Sequence, residues 1–401
     1  MAKKNNPANN IQDLQFFGEF GGVNPSIADS STFTYLAGKT MGDVFEGNRE
    51  GCYLYSRHTN PSTSYLGQAL ANMENTKGAI LSASGMGAIT TTLLQLCSAG
   101  DEIISSRTIY GGTYAFMKNY LPKFNIKTNF VNTTKLSEIQ NAITSKTKVI
   151  YCETMSNPLL EVSDIKSIAK IAKEKGIKFV VDNTFTPLIF SPSIMGADVT
   201  IHSLTKFING TSDTVGGVVC SDEEFISDMI DVNTGSAMLL GPVMDSMRAA
   251  SILKNIRTLP LRIKKHSHNA LYLSIKFQKD GLRVVYPGLE NHPQHNLMKK
   301  SMNEDFGFGG MFVIDALTKD KANELMEEMQ ERNLGYLAVS LGFYKTLFSA
   351  PGLSTSSEIP EEERETMGLS DSLVRISIGL DDDIERTYET MRECMQHVGI
   401  L

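Results

Sequence analysis

Short apolar runs rich in β-branched residues alternate with helical segments, and this alternation constrains the fold more than any other feature. The runs read GAILSAS, DEIISS, IKTNFVN, KVIYCET, IKFVVDN and ADVTIHS, at residues 78–84, 101–106, 126–132, 148–154, 177–183 and 197–203. Such runs are typical of buried parallel strands. Helical spacing lies between several of them, as in SDIKSIAKIAKEKG, where Ser163 is the expected N-cap and Gly176 the expected stop. The pattern predicts an α/β fold in which a mostly parallel sheet has helices on both faces.

The two ends of the chain differ from this central pattern. Residues 1–61 carry seven glycines with little helical period, which predicts an extended N-terminal arm. Toward the C-terminus, helical segments such as DKANELMEEMQERNLG (320–335) alternate with strands such as SLVRISIGL (372–380). We therefore expect a large domain over residues 62–255 and a smaller α/β C-terminal domain over residues 256–401.

Composition and charge disfavour several classes of protein. The 401 residues are 41% hydrophobic and carry a formal net charge of −7, which does not favour nucleic acid as a partner. No run approaches the roughly 18 apolar residues of a membrane span, and MAKKNNPANN lacks the apolar core of a signal peptide. The five cysteines form no C-x-x-C pair, which favours free thiols in a reducing compartment. We expect a cytoplasmic globular enzyme without a membrane partner.

Glycine and aromatic residues follow the first two strand-like runs. In sheets of this kind, ligands bind beyond the carboxyl ends of the strands. Gly85 and Met86 stand between a strand and a helix, where the backbone can approach an anion and the helix N-terminus presents free N–H groups. Tyr110 precedes a Gly-Gly pair, and its ring could stack on a flat ligand or exchange a proton. Taken singly, these residues are explained equally well by a tight turn and a core tyrosine.

Three later runs end in an amide, an acid and an amine. Asn157 belongs to an Asn-Pro pair, which is typical of a turn. Asp182 ends an apolar run, where it either caps the next segment or holds a positive charge. Ser203 and Thr205 precede Lys206, which is either an ordinary solvated charge or a nucleophile held where a strand meets a loop.

Together, these strand ends supply an anion cradle, an aromatic platform, an acid, two hydroxyls and an amine at one edge of one sheet. Pyridoxal phosphate requires this set, because its phosphate needs N–H groups and hydroxyls, its ring an aromatic stack, its pyridinium nitrogen a carboxylate and its aldehyde a lysine for a Schiff base. A dinucleotide is disfavoured, since the G-x-G-x-x-G fingerprint is missing. The combination therefore predicts a pyridoxal phosphate site.

The chain resembles the pyridoxal-phosphate enzymes of cysteine and methionine metabolism, the cystathionine and methionine γ-lyase group, from about residue 16 onward. The resemblance rests on ADVTIHSLTKFINGTSD, YSRHTNPS, SGMGAI, YGGT, VVDNTF, YPGLENHPQH and LVRISIGL, at 197–213, 55–62, 84–89, 110–113, 180–185, 286–295 and 373–380. The first stretch departs from the family at Leu204, where a small residue is usual, and at Thr211, where His or Gln is usual. The stretches GEFGGVNPSI, SAMLLGPVMDS and SLGFYKTLFSAPGLSTSSE resemble the methionine γ-lyases of plants. The resemblance implies the PLP-dependent transferase fold, which is aspartate aminotransferase-like and of fold type I.

The resemblance also implies a role for each matching residue. Lys206 would bind the cofactor aldehyde and shuttle protons, Asp182 would pair with the pyridinium nitrogen, and Tyr110 would stack on the ring and act as acid–base. The phosphate would be held by Gly85, Met86, Ser203 and Thr205 of one subunit and by Tyr55 and Arg57 of its neighbour. The substrate carboxylate would be bound by Asn157, Ser340 and the guanidinium fork of Arg375. A shared site implies at least a dimer, and a homotetramer, a dimer of dimers, is usual in the family.

Val339 bears on the substrate. It occupies a place where cystathionine-processing relatives usually carry glutamate, which suits the distal ammonium group of cystathionine, whereas methionine ends in an apolar thioether. Gly112 replaces the cysteine of bacterial methionine γ-lyases, although the plant-like members share YGGT. Phe343 and Tyr344 follow a glycine where many relatives have a second one. We expect α,γ-elimination of L-methionine to methanethiol, 2-oxobutanoate and ammonia.

Several alternatives stay open at this point. Cystathionine γ-lyase or homocysteine desulfhydrase activity would use the same groups. So would γ-replacement on O-acylhomoserine, as in O-acetylhomoserine sulfhydrylase and cystathionine γ-synthase. A pyridoxal-phosphate binder without activity is disfavoured, because Lys206, Tyr110 and Asp182 are all present. His292 and His295 suggest a metal pair, but a third ligand is not spaced to join them, so we expect a polar loop and no metal.

Overall fold

A seven-stranded sheet in the first half of the chain carries the candidate residues. The computed structural model describes residues 6–45, 49, 51–353, 362, 364 and 367–401. The strands of the sheet are β1 (Gly78–Ser82), β2 (Glu102–Ser106), β3 (Lys127–Val131), β4 (Thr147–Glu153), β5 (Lys178–Asp182), β6 (Val199–Ser203) and β7 (Gly217–Ser221). Their order is β1-β7-β6-β5-β4-β2-β3, and β7 alone runs in the opposite direction to the other six strands. The predicted mostly parallel sheet is confirmed.

Helices precede, connect and follow these strands. They are α1 (Pro7–Gln12), α2 (Gly38–Phe45), α3 (Pro61–Glu74), α4 (Gly85–Leu96), α5 (Gly111–Ala115), α6 (Leu136–Ala142), α7 (Ile165–Lys175), α8 (Glu223–Ile230), α9 (Ser236–Leu240) and α10 (Ser246–Asn255). The predicted stop of α7 at Gly176 is confirmed, with a left-handed φ of 66°. The predicted N-cap Ser163 is wrong. Asp164 caps α7 by accepting the N–H of Ser167 at 3.1 Å, whereas the Ser163 hydroxyl donates to the Glu153 carbonyl.

The alternation of side chains along β4 explains why helices cover both faces of the sheet. Val149 and Tyr151 pack in the same apolar cluster as α4, whereas Ile150 and Cys152 pack with α7 on the other face. Successive strand residues point to opposite faces, so a strand of continuous apolar residues must be covered twice. Each fully buried aliphatic side chain stabilises the fold by about 1.5–3 kcal/mol. The strand interiors are therefore apolar, and polar residues occur at the strand ends.

The N-terminal arm has more structure than the sequence predicts. Helix α1 begins after Asn6, whose side chain accepts the N–H of Ala8 at 3.0 Å, and it packs against α3. An N-cap asparagine followed by proline was the available signal, but a six-residue helix is too short to show a clear period. Phe20 and Leu36 are exposed. Residues 1–5, 46–48 and 50 of the predicted arm lie outside the described residues.

A second, five-stranded sheet lies toward the C-terminus. Its strands are β8 (Val284–Val285), β9 (Met311–Asp315), β10 (Gly335–Leu337), β11 (Thr346–Ser349) and β12 (Leu373–Ser377), in the order β10-β11-β12-β9-β8. The accompanying helices are α11 (Leu259–Lys279), α12 (His295–Ser301), α13 (Lys319–Glu331) and α14 (Ile384–His397). This smaller α/β unit agrees with the predicted fold class, while the domain limits at residues 61 and 255 stay predictions. In the described part of the chain, none of the helices is both long and apolar enough to cross a bilayer.

Candidate active site

A cavity of about 290 Å³ opens at the carboxyl ends of the parallel strands. Ten of the residues predicted from the sequence line it: Gly85, Met86, Tyr110, Asn157, Asp182, Ser203, Thr205, Lys206, Val339 and Arg375. These residues lie far apart in the chain. The parallel strands of the first sheet bring eight of them together because such strands end at the same edge, whereas Val339 comes from the loop after β10 and Arg375 from the second sheet. Their proximity is a finding, and their individual roles stay predictions.

Lys206 lies in the loop between β6 and β7, which is fastened at both ends. Ser203 and Gly217 pair at the mouth of the loop, and the Thr205 hydroxyl accepts the N–H of Gly216 at 3.1 Å. The Lys206 amine donates to the Ser340 hydroxyl at 3.2 Å. Burial, together with the charge of Arg375, lowers the pKa of Lys206 to about 8. A partly neutral amine on a fixed loop can act as a nucleophile and as a base.

Asp182 ends β5 and faces the same cavity. One carboxylate oxygen accepts the backbone N–H and the hydroxyl of Thr184, at 2.9 and 2.5 Å. The other accepts the hydroxyl of Tyr151 at 3.3 Å. Burial raises the pKa of Asp182, and the hydrogen bonds from Thr184 oppose that rise. A buried carboxylate with fixed donors is well placed to hold a cationic ring nitrogen.

Arg375 on β12 brings the second sheet into the site. The Nη1 group donates to the Asn157 side-chain oxygen at 2.8 Å, and the Nη2 group donates to the Ser340 carbonyl at 3.5 Å. Burial lowers the pKa of Arg375 to about 10, which still leaves the guanidinium charged at neutral pH. Both acceptors are neutral, so a substrate carboxylate would provide the counter-ion that a buried charge needs.

The N-terminus of α4 lies at one end of the cavity. The Ser84 hydroxyl caps the helix by accepting the N–H of Gly87 at 2.9 Å. A Cβ atom at Gly85 would lie 2.8 Å from the Cβ of Ser203, so only glycine lets the helix approach β6 this closely. The free N–H groups of the first turn and the hydroxyls of Ser203 and Thr205 are donors that suit a phosphate.

Tyr110 and Glu153 form a contact that the sequence analysis did not predict. The Tyr110 N–H donates to Glu153 at 2.8 Å, while Tyr110 as a residue is 41% exposed. Glu153 lines the cavity and lies directly opposite Asp182 in the register of β4 and β5. The signal was available, because Glu153 stands at the end of its strand-like run in the same way as Asp182. Apolar lining residues, including Met155 and Leu341, were also missed.

Tyr55 and Arg57 do not line the cavity of their own chain. Arg57 donates to the Met238 carbonyl at 3.0 Å, and its guanidinium lies 5.6 Å from the centre of the Tyr55 ring. The predicted contact of these two residues with the phosphate of a neighbouring subunit stays a prediction. Ser340 contacts two residues of the cavity, since its hydroxyl accepts from the Lys206 amine and its carbonyl accepts from the Arg375 guanidinium.

His292 and His295, which were considered as a metal pair, have structural contacts. His295 Nδ1 lies 2.8 Å from the Pro287 carbonyl, and its ring stacks on Phe308 with centroids 5.2 Å apart. His292 Nδ1 accepts the N–H of Gln294 at 3.2 Å. No group of three or more His, Cys, Asp or Glu side chains within the described residues is arranged to hold a metal.

The residues of the cavity fit pyridoxal phosphate. A buried amine, a buried carboxylate and a helix N-terminus surround one space, and the missing side chain at Gly85 leaves the helix end open to a phosphate. The donor set of Ser203 and Thr205 suits an anion, and the carboxylate of Asp182 suits a ring cation. This chemistry is the one that the sequence predicted.

Comparison with known proteins agrees with this fit. The family model described as Cys/Met metabolism PLP-dependent enzyme matches residues 10–390. A methionine gamma-lyase of Arabidopsis thaliana is 43% identical over 389 residues, which cover 95% of this chain and 88% of the relative. A cystathionine gamma-lyase of Dictyostelium discoideum is 36% identical over 333 residues, which cover 82% of this chain and 84% of the relative.

A solved structure carries the cofactor on a lysine. It is a putative O-acetylhomoserine (thiol)-lyase of Campylobacter jejuni that contains N'-pyridoxyl-lysine-5'-monophosphate. It matches with a TM-score of 0.90 at 27% identity, covering 98% of this chain and 100% of that chain. The names of these relatives give different substrates.

Proposed function

The chain belongs to the family of Cys/Met metabolism PLP-dependent enzymes, and from this premise we propose that it is a carbon–sulfur lyase that converts L-methionine to methanethiol, 2-oxobutanoate and ammonia. The observation that carries this proposal is the apolar outer part of the cavity. Val339 and Val215 line it and are 61% and 54% exposed, whereas the two lining carboxylates, Glu153 and Asp182, are buried. An apolar lining favours a methyl thioether over a substrate that ends in an ammonium group.

Binding of the amino acid would rest on the second sheet and the loop after β4. Arg375 would hold the substrate carboxylate through its guanidinium fork, and Asn157 would keep that fork aligned through the 2.8 Å hydrogen bond to Nη1. Ser340 would assist, since its carbonyl accepts from Arg375 and its hydroxyl accepts from Lys206. Placing the carboxylate fixes the Cα–H bond relative to the Lys206 amine.

Proton transfer would rest on Lys206 and Tyr110. When bound, pyridoxal phosphate supplies the electron sink that stabilises negative charge at Cα. Lys206 would remove the Cα proton, and because its pKa is lowered to about 8, a larger fraction of the amine is neutral near neutral pH than in an ordinary lysine. Lys206 would release this first proton and, as a neutral amine again, would accept the second proton from Cβ, while the phenol of Tyr110 would protonate the departing sulfur. Asp182 would hold the proton of the ring nitrogen.

We also expect the enzyme to work as a cytoplasmic homotetramer. Tyr55 and Arg57 lie outside their own cavity, which suits a contact with a neighbouring subunit. Large apolar side chains are exposed on the arm and on α9, including Phe20, Leu36 and Leu240. Exposed apolar surface of this kind is typical of residues that a partner subunit covers.

A change at Val339 tests the substrate assignment. Val339→Glu would place an acid at the half-exposed outer part of the cavity, and Val339→Gln is the matched neutral control of the same size. We expect the glutamate variant to raise kcat/KM for L-cystathionine relative to L-methionine by about threefold to tenfold, because a partly exposed ion pair contributes little more than 1 kcal/mol. The glutamine variant should show no such change.

The result that contradicts the assignment is equally specific. If the wild-type protein prefers cystathionine and Val339→Glu leaves the ratio unchanged, the apolar lining does not select the substrate. Product formation only from O-acetyl-L-homoserine plus sulfide would instead support γ-replacement on O-acetylhomoserine, the compound in the name of the Campylobacter protein.

A further inference from the structure

Glu153 is a buried carboxylic acid in the cavity for which the proposed reaction has no role. It is the last residue of β4 and is only 6% exposed. It lies beside a second buried acid, because Glu153 and Asp182 are paired in the register of β4 and β5. Two adjacent buried carboxyl groups are unfavourable for stability and are found mainly where function requires them.

Both oxygens of Glu153 accept backbone N–H groups, and the two donors belong to different loops. Oε1 accepts from Tyr110 at 2.8 Å, at the point where the turn after β2 enters α5. Oε2 accepts from Asn157 at 3.0 Å, within the loop that connects β4 to α7. One carboxylate therefore fastens two loops that carry different parts of the site.

The second of these contacts continues to the substrate-binding arginine. The Asn157 side chain accepts from Arg375 at 2.8 Å, so Glu153 is two hydrogen bonds from the guanidinium. We propose that Glu153 is a positioning residue. Its single carboxylate holds the Tyr110 ring and the Asn157–Arg375 pair in fixed positions relative to each other. This inference rests on the proposed function, since it assumes that the cavity binds a cofactor ring and an amino-acid carboxylate.

A carboxylate is the group that this geometry requires. A glutamine has a single side-chain acceptor, so one of the two N–H groups would face an NH₂ donor. Burial and the neighbouring Asp182 raise the pKa of Glu153, while the two backbone N–H groups oppose that rise. A buried carboxylate beside Asp182 is unfavourable, and a glutamine of the same shape would remove that cost. The chain nevertheless has a glutamate at this position.

Glu153→Gln in the cofactor-loaded protein tests the inference, with Glu161→Gln as the matched control. Glu161 accepts from Thr108 at 2.8 Å and stands in the same region, but it contacts neither of the two N–H groups and does not line the cavity. Glu153→Asp serves as a second variant, which keeps the charge but shortens the side chain by one methylene. Thermal unfolding and cofactor content identify any variant that has lost its fold.

Three readouts separate positioning from general stability. Amide hydrogen exchange is measured in peptides covering residues 109–113 and 154–160, because Glu161 itself contacts Arg107 and Thr108. The visible circular dichroism of the bound cofactor reports the ring environment that Tyr110 shapes. The affinity for L-norleucine, a methionine analogue without a leaving group, reports the arginine site independently of elimination.

We expect Glu153→Gln and Glu153→Asp to exchange faster in both peptides, to alter the circular dichroism and to bind norleucine about tenfold more weakly, as loss of a buried hydrogen-bond acceptor implies. Glu161→Gln should match the wild type in all three. The inference is overturned if the Glu153 variants keep wild-type norleucine affinity and circular dichroism, whether or not exchange increases. If the wild-type protein neither cleaves methionine nor binds norleucine, the proposed function fails, and exchange and circular dichroism still decide the role of Glu153.

Discussion

Replacing Lys206 by methionine should stabilise the cofactor-free fold. Burial, reinforced by the Arg375 charge, lowers the pKa of Lys206 from its ordinary value of 10.5 to about 8. At about 1.4 kcal/mol for each pH unit, the gap of 2.5 between 10.5 and 8 corresponds to about 3 kcal/mol. Methionine also removes the hydrogen bond to Ser340, which is worth about 1 kcal/mol. The expected net gain in the free energy of unfolding at pH 7 is about 2 kcal/mol.

The pH dependence gives this gain a recognisable signature. Below about pH 8 both the folded and the unfolded chain carry the Lys206 proton, and the fold bears the full penalty of a buried ammonium. Between pH 8 and 10.5 only the unfolded chain stays protonated, so the penalty shrinks as the pH rises. Above pH 10.5 both states are neutral and it disappears. The advantage of Lys206→Met should therefore be greatest at pH 7 and small at pH 10.

Denaturant unfolding of the cofactor-free protein measures this effect. Wild type and Lys206→Met are compared at pH 7 and pH 10 at one protomer concentration, because an oligomer is more stable at higher concentration. Lys299→Met, at an exposed position on α12, is the control and should give no pH-dependent gain. A Lys206→Met variant that is no more stable than wild type at pH 7, or whose gain is the same at both pH values, would contradict a buried, destabilising ammonium at Lys206.

Two further substitutions test the catalytic side of the site. Asp182→Asn keeps an acceptor for Thr184 but removes the negative charge that would lie beside the ring nitrogen. With saturating cofactor, kcat for methionine should therefore fall by at least about a hundredfold. Full activity would contradict the role of the acid. Gly112→Ala would place a Cβ atom 2.6 Å from Cε1 of Tyr110, so the ring must move, and kcat should fall while the unfolding temperature changes little. Wild-type kcat in that variant would show that the position of the Tyr110 ring does not limit the reaction.

The central sheet and most of the cavity could be predicted because both depend on local patterns. Six apolar runs became strands, and parallel strands bring their carboxyl ends together whatever the chain does between them. Residues at those ends, such as Asp182 and Lys206, could therefore be grouped before any contact was known. The strand β7 was not predicted, since GVVCS is a short run that returns antiparallel beside β6 directly after the lysine loop.

Other features depend on contacts that a sequence does not specify. Glu153 gains its importance from two backbone N–H groups in distant loops, and a strand-end glutamate by itself is more often an ordinary cap or surface charge. The choice of Asp164 over Ser163 as the cap of α7 depends on which of two adjacent polar side chains turns toward the helix. The predicted roles of Tyr55 and Arg57 depend on a contact between subunits, so these roles stay predictions.

The most direct test of the account is the product formed from L-methionine by the purified, cofactor-loaded protein. Methanethiol and 2-oxobutanoate are measured together and compared with the products from L-cystathionine and from O-acetyl-L-homoserine plus sulfide. We expect equimolar methanethiol and 2-oxobutanoate from methionine, with a higher kcat/KM than for the other substrates. A cofactor-loaded protein that releases no methanethiol from methionine but consumes cystathionine or O-acetyl-L-homoserine would contradict this expectation.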